Sequence, residues 1–490
     1  MPAKTPRKTE PARPAPTPPP AWQATLSRFG TNRAAFVAAS VALLVPVFWQ
    51  ARPQAGDLGS HIYNAWLAQL IGQGRAPGLT IGHQSTNVLF DLLLGWLLPA
   101  VGAAWAERIA VSLAVLAFGW GAFAFVSASA GRRAWHMLPA IAILAYGWVY
   151  HMGFFNFYLS LGLAFGAMAL VWRRFDAVHA AGAVALLALA WTAHALPVAW
   201  ACGLMVYRWV VGRIGKQRQA LAAGAGVFAL LAIRVALGSA MPVRWFPTQA
   251  WLVTGADQGW VYDAKYILAT AALLALWLPL ARQVKLSAPF HFWLLTAAAI
   301  AVLPDVVLPP GYKHQLAYVS NRMSLAAAVC ICAWLAPARF ARVHYWTTAA
   351  AALIFFSFLF RDEMVFNEVE ARIDQAVARL PSGQRVIGGL NDPKLRAGAL
   401  SHMVDRACVG RCFSFDNYEP STAQFRVRAT GPNPIVAWTY DQSWQMQTGQ
   451  YVVQPGDLPL YQVTLGDDGG FVVVSLKAGV RSGIKEWDPL

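Results

Sequence analysis

Between Ala34 and Phe360 the chain is built from apolar runs of 16 to 22 residues separated by short polar stretches. A helical run of that length crosses a hydrocarbon core of about 30 Å. In lipid a spanning segment must satisfy its own backbone polar groups, and a helix does so. The fold class dictated is an all-α polytopic membrane protein. Composition agrees: the 490 residues are 57 % hydrophobic and 13 % charged, against about 25 % charged in soluble domains. A formal net charge of +16 would suit nucleic acid, but its placement argues otherwise. Lys and Arg fall in short clusters between apolar runs, as cytoplasmic markers do. The partner implied is the lipid bilayer, and nucleic acid is excluded.

Those clusters lie at Arg132-Arg133, Arg173-Arg174, Arg208 to Arg218, Arg282 to Lys285 and Arg339 to Arg342. Taken as cytoplasmic, they put the turns 150–158, 192–197, 236–263 and 303–321 on the outer face. About eleven transmembrane helices result, with thirteen as the upper count. The parity is open at two apolar runs, 88–104 and 107–128, where one crossing is needed: either the first run lies along or dips into the membrane, or Arg132-Arg133 is outside. Residues 1–33, Pro-rich and basic, read as a disordered cytoplasmic tail. Of the 23 acids, only seven lie in the membrane portion 34–360 and fifteen follow Phe360. That shift marks a boundary, with 361–490 expected as a soluble periplasmic α/β or α+β domain. In it, "QRVIGG", "PIVAWTYD", "YVVQ", "YQVTL" and "GFVVVSL" read as strands, and Trp438, Tyr440 and Trp444 as exposed aromatics. Cys408 and Cys412, in an oxidising compartment, point to a local disulfide. Cys202, Cys330 and Cys332, inside apolar spans, are expected to be packing residues.

The first outer loop, 51–87, carries "QAGDLGSHIYNAWLAQL". Apolar residues at Leu58, Ile62, Ala65, Trp66, Leu70 and Ile71 follow a spacing of three and four, which predicts an amphipathic helix. It is too short to span and is expected in the interface plane. Asp57 then opens this helix, where a carboxylate can cap orphan amides or act chemically. His61, four residues on, shares its face.

A cytoplasmic tail, one span, an outer loop with an acid opening a helix, many further spans and a C-terminal soluble domain together resemble the GT-C superfamily. These are integral membrane glycosyltransferases dependent on polyprenyl-phosphate-linked sugars. The segments "GFFNFYLSLGLAF", "AHALPVAW" and "YVSNRMSLAAA" are similar to outer-mouth segments of bacterial members. The resemblance implies sugar transfer from a polyprenyl-phosphate donor to a cell-envelope glycan, lipid or protein at the periplasmic face of the inner membrane. It makes Asp57 the catalytic carboxylate. Some members use a paired Asp-x-Asp; here Leu58 and Gly59 follow Asp57, which favours the metal-independent branch. No metal ligand is therefore assigned, and a divalent cation is left open.

Such a transfer needs a base for the acceptor and cations for the leaving phosphate. Asp57 is the base expected in a single-displacement, inverting reaction. His61, His151, Asn156, His194, Lys313 and Arg322 are the substrate-binding candidates, Arg322 first among the cations because "SNR" opens a span after an outer loop. Arg244, Asp257, Asp263 and Asp305 share that face. The rival readings are a polytopic transporter or lipid flippase, and a non-catalytic GT-C scaffold binding lipid-linked sugars. Transporters place charges near the bilayer midplane, and only Arg234 fits that position here.

Overall fold

The computed structural model describes residues 33–391, 394–466, 469–483 and 485–486, without the side chains of residues 216, 217, 391, 485 and 486. The tail 1–33, expected to be disordered, lies outside the described residues apart from Arg33. Residues up to Ala42 form a unit of their own, described as the opening of helix α1 (Arg33–Phe48). The second unit, from Leu43 onward, holds everything discussed below.

This unit is mostly helical, with a few small sheets. Helix α2 (Leu58–Gly72) lies within the stretch 51–87, followed by α3 (Leu89–Val101), α4 (Ala103–Ala130) and α5 (Phe155–Leu170). Among the described residues, four helical segments are long and apolar enough to cross a membrane: Ala103–Ala130, Arg218–Ala240, Ala264–Gln283 and Arg342–Val377. The segment Arg218–Ala240 leaves Leu221, Phe228 and Val235 more than 70 % exposed. An apolar face of that kind is incompatible with water and suits lipid. The 13-residue α3 is only about 20 Å long, short of a full crossing. It turns into α4 at Gly102, whose φ of +75° would strain any side chain.

The core sits where α4 meets α5. A Cβ on Gly121 would lie 2.0 Å from the Gly162 carbonyl oxygen, and one on Gly162 would lie 2.5 Å from Phe118 Cα. Only small residues allow two helices this close. Phe118, Phe125, Tyr158 and Phe165 fill the space around that contact with stacked ring pairs at 4.6 and 5.2 Å.

Helix α6 (Val319–Leu335) leads through a short turn to helix α7 (Arg342–Val377). At 36 residues, α7 is about 54 Å long, far more than a bilayer needs. It runs through residue 361 unbroken, with Val369, Ile373 and Val377 buried on one face. Its C-terminal half carries Asp362, Glu363 and Glu370, all buried, and the more exposed Asp374. Beyond it, a four-stranded sheet has Arg385–Ile387 parallel to both Phe413–Ser414 and Leu460–Leu465. Phe471–Ser475 closes it antiparallel to Leu460–Leu465. The sheet is therefore mixed. "PIVAWTYD" forms no strand, because Ile435, Val436 and Ala437 pack as buried coil and Tyr440 opens helix α9 (Tyr440–Gln447). "YVVQ" contributes a single bridge, Val452 to Arg481.

Cys408 and Cys412 are disulfide-bonded at the end of helix α8 (Met403–Cys408). Cys330 and Cys332 are buried free thiols, and Cys202 is a half-buried one.

The C-terminal portion lies against the first outer loop. Leu79–Ile81 pairs antiparallel with Val427–Ala429. The polar side of α2 is not left to water: Ser60 donates to Glu419 at 2.7 Å, Asn417 to Asn64 at 2.9 Å, and the Ser414 amide to the Tyr63 hydroxyl at 2.8 Å. The polar residues on that side of the helix are therefore partnered by protein.

Candidate functional site

Helix α2 begins where the periodicity puts it, and Asp57 is its N-cap, but the carboxylate does not cap. Its backbone is helical (φ −75°, ψ −4°) and no side-chain bond reaches the first-turn amides. A capping side chain needs an extended backbone at that position. Asp57 is held instead by its main chain. Gly56 N donates to His151 O at 2.7 Å and Asp57 N to Met152 O at 3.0 Å. Gly153, at φ +82°, leaves the room: a Cβ there would sit 2.4 Å from Asp57 N. From the other side, a Cβ on Gly56 would meet Gly398 O at 2.9 Å and one on Gly59 would meet His402 O at 2.1 Å. Three segments far apart in sequence therefore touch backbone to backbone around residue 57.

Among the described residues, the Asp57 carboxylate accepts no hydrogen bond. Its side chain is 31 % exposed, and the near cation is His402, whose Nε2 lies 3.7 Å from Oδ1. His402 is fixed by Asp405 Oδ2 at 2.6 Å from Nδ1, so its second nitrogen faces Asp57. Burial works against charge on His402, but Asp405, with Asp57 and Glu419 behind it, outweighs burial and lifts its pKa to about 9. Asp405 in turn accepts from the Ser414 hydroxyl, which also faces Asp416. Burial, then the Asp405 charge, pushes Asp416 up to about 7.

His61 makes the matching arrangement on the other flank. Its Nδ1 lies 2.7 Å from Asp91 Oδ1 and its Nε2 3.3 Å from the Gly153 carbonyl. Burial again opposes the charge, and Asp91 overrides it to about 9. Asn156 holds Asp91 by donating to Oδ2 at 2.8 Å while accepting from Phe90 N. Glu419, between the imidazoles, is raised to about 7 by burial against the pull of His61.

Arg322 completes the ring. Its guanidinium lies 3.8 Å over the Phe154 ring, and Nε is buried without a hydrogen-bond partner. The charges acting on it are Asp57, Tyr418, Asp305 and Tyr318. His314 is within reach of the Asp57 and Arg322 charges, and burial keeps its ring below the usual imidazole range.

Of the sequence candidates, His61 and Arg322 lie within the electrostatic reach of Asp57, and Asn156 supports Asp91, the partner of His61. His151 is fully buried, with Nε2 3.2 Å from Glu363 Oε1 and Nδ1 3.2 Å from Gly147 O; it touches the site through its carbonyl. His194 accepts from Leu196 N at a helix junction and lies within the field of Arg322. Lys313 is exposed on the loop 303–321. Asp305 accepts from Ser320 N and so caps α6. Asp263 pairs with Lys265 at 2.9 Å and Asp257 with Arg396 at 3.3 Å. Arg244 joins a two-stranded pairing with Val306.

Sequence reasoning missed His402, Asp405, Tyr418, His314 and Asp91. The signal for the first three was the density of His and acids between 402 and 419, in a stretch read only as an outer domain. Two cavities, of about 350 and 520 Å³, are lined by Arg52, Glu107 and Arg406 and by Trp251, Asp257 and Arg396 respectively. Asp57 lines neither and is reached from the surface. No group of three or more His, Cys, Asp or Glu suited to a metal occurs among the described residues. Comparison with known proteins gives no matching family model, no matching curated protein and no matching solved structure.

Proposed function

We propose that the chain is an inner-membrane glycosyltransferase of GT-C type, taking a sugar from a polyprenyl-phosphate donor at the periplasmic face, with Asp57 as general base. The observation that carries this reading is a carboxylate fixed by its backbone, one-third exposed and without a hydrogen-bond donor, between two cationic imidazoles and an arginine. An acid placed for structure alone would be saturated, as Asp91 and Asp305 are.

The acceptor hydroxyl or amine attacks the anomeric carbon, and its proton passes to Asp57. The bond from that carbon to the phosphate oxygen breaks, and the electron pair leaves with the lipid phosphate. Arg322 has an unpartnered Nε–H to meet that anion, and charge developing in a partly buried site is stabilised best by such pre-placed donors. His61 and His402 offset the negative charge of Asp57. One displacement inverts the sugar carbon.

Four long apolar helices and seven shorter ones occur among the described residues, and with Leu89–Val101 short of a crossing ten of them are candidate spans. About eleven crossings are proposed, with the N-terminus cytoplasmic and 361–490 outside. A transporter reading is disfavoured by Arg234, the one mid-span candidate charge. Its guanidinium lies 5.1 Å from the ring of Trp245, in the outer loop, so it reaches toward the interface.

The test is Asp57→Asn expressed in cells lacking the gene, with lipid-linked sugars and envelope glycans profiled. Loss of a general base costs about 10²–10⁴-fold, so donor should accumulate and the glycan product disappear. Full restoration by the Asn variant would remove the base and leave the non-catalytic scaffold reading.

A further inference from the structure

Five aromatic rings form a continuous row from the surface to Asp57. Trp444 and Tyr440 stand one helical turn apart on α9, on one face, with ring centres 6.4 Å apart and planes inclined by 30°. Tyr440 lies 5.5 Å from His314, His314 lies 5.2 Å from Tyr418, and Tyr418 lies 6.3 Å from His402. The last ring is the one facing the Asp57 carboxylate.

The row is not core. Trp444 is 52 % exposed, and Tyr440, His314 and Tyr418 are all half-buried. Its rings come from three segments, α9, the loop 303–321 and the stretch 402–418. They are held together by polar contacts: Gln424 donates to the His314 carbonyl, and Ser421 joins Tyr418 to Ser443. A stability role alone would bury these rings. A membrane-anchoring role would turn them to lipid, yet the inner end of the row stops at the charged cluster of Asp57, His402 and Arg322.

We infer that this row is the acceptor track, and that the acceptor is a neutral saccharide chain whose sugar rings stack along Trp444, Tyr440, His314 and Tyr418 toward Asp57. Sugar rings have an apolar C–H face that lies flat on an aromatic ring, while tyrosine hydroxyls and imidazole nitrogens meet the hydroxyls at the edge. The four outer rings, Trp444, Tyr440, His314 and Tyr418, include no Lys or Arg, which suits a neutral chain better than a phosphate- or carboxylate-rich one. The inference rests on the glycosyltransferase reading for its direction and deepens it by choosing glycan over lipid and protein.

The test uses the purified full chain in detergent carrying Asp57→Asn, so that binding is read without transfer. Soluble neutral hexasaccharides of glucan, mannan, galactan and arabinan are titrated by calorimetry and saturation-transfer NMR. At least one should bind. Tyr440→Ala and Trp444→Ala should each weaken it about ten-fold, equivalent to about 1.4 kcal/mol, while Trp444→Phe keeps most of the affinity. No binding at about 10 mM overturns the inference, and so does equal affinity in both alanine variants. If a glycan binds the row in this way but Asp57→Asn restores the knockout fully, the track stands and the catalytic reading falls.

Discussion

Removing the Arg406 guanidinium should be among the most damaging single changes outside the candidate site. Arg406 Nε donates to Glu107 Oε1 at 2.8 Å, Nη1 to the two Glu370 oxygens at 3.0 and 3.1 Å, and Nη2 to Pro53 O at 3.1 Å. The side chains of Arg406, Glu107 and Glu370 are 7, 4 and 1 % exposed. Arg406→Met keeps the volume and deletes all four bonds. Glu370 keeps Arg52 and Gln54, whereas Glu107 loses its charged partner. Stranding a buried carboxylate in this way costs about 3–5 kcal/mol, a factor of roughly 150 to 5,000 in the folding constant. Denaturant titration in one detergent measures it. Glu107→Gln added to Arg406→Met should return more than about 1 kcal/mol, because it discharges the stranded group. A loss below about 1 kcal/mol for Arg406→Met, or strict additivity of the pair, would refute the reasoning. The bond to Pro53 gives the network a second reading. It ties the approach to Asp57 to α7 and α8, so the destabilised variant should also lose transfer before it unfolds.

Gly153→Ala should lower the melting temperature and abolish transfer with every charged group intact, since the left-handed backbone costs about 1–2 kcal/mol and the new methyl overlaps Asp57 N. Gly72→Ala, with nothing within 4 Å, is the control, and equal behaviour of the two would sink the argument. Stability should also fall on the alkaline side. His61 and His402 have folded pKa values raised from 6.5 to about 9. Their contribution is therefore fully present below pH 6.5 and is lost as pH rises through 9, at most about 3 kcal/mol each. Melting curves from pH 6 to 10 should slope downward, and His61→Gln with His402→Gln should flatten them; a wild-type curve already flat there refutes the assignment.

What could be read in the sequence was local. The three-and-four spacing after Asp57 and the glycines at 72 and 74 mark α2, whose observed end is Gly72. The spacing of Cys408 and Cys412 gives their bond. The acid-rich stretch after Phe360 reads as a domain boundary, but such a change in composition does not end a helix, and α7 continues through it. The role of the Asp57 side chain was not legible, because capping depends on a backbone angle that pattern does not report. His402 and Asp405 were hidden for a different reason. They reach Asp57 only through tertiary docking of a segment hundreds of residues away, and no periodicity encodes that.

The backbone contacts at Gly56, Gly59 and Gly153 also bear on biogenesis. Asn64 on α2 meets Asn417, 353 residues later, and His402 arrives from the same distant stretch. At roughly 5–20 residues per second, the first outer loop waits tens of seconds after emerging before its partner exists. Until then Asp57 stands in a loop without the histidine that faces it. If the proposed transfer depends on that pairing, completion of synthesis is its arming step, and a copy halted before residue 400 would carry no activity to misdirect.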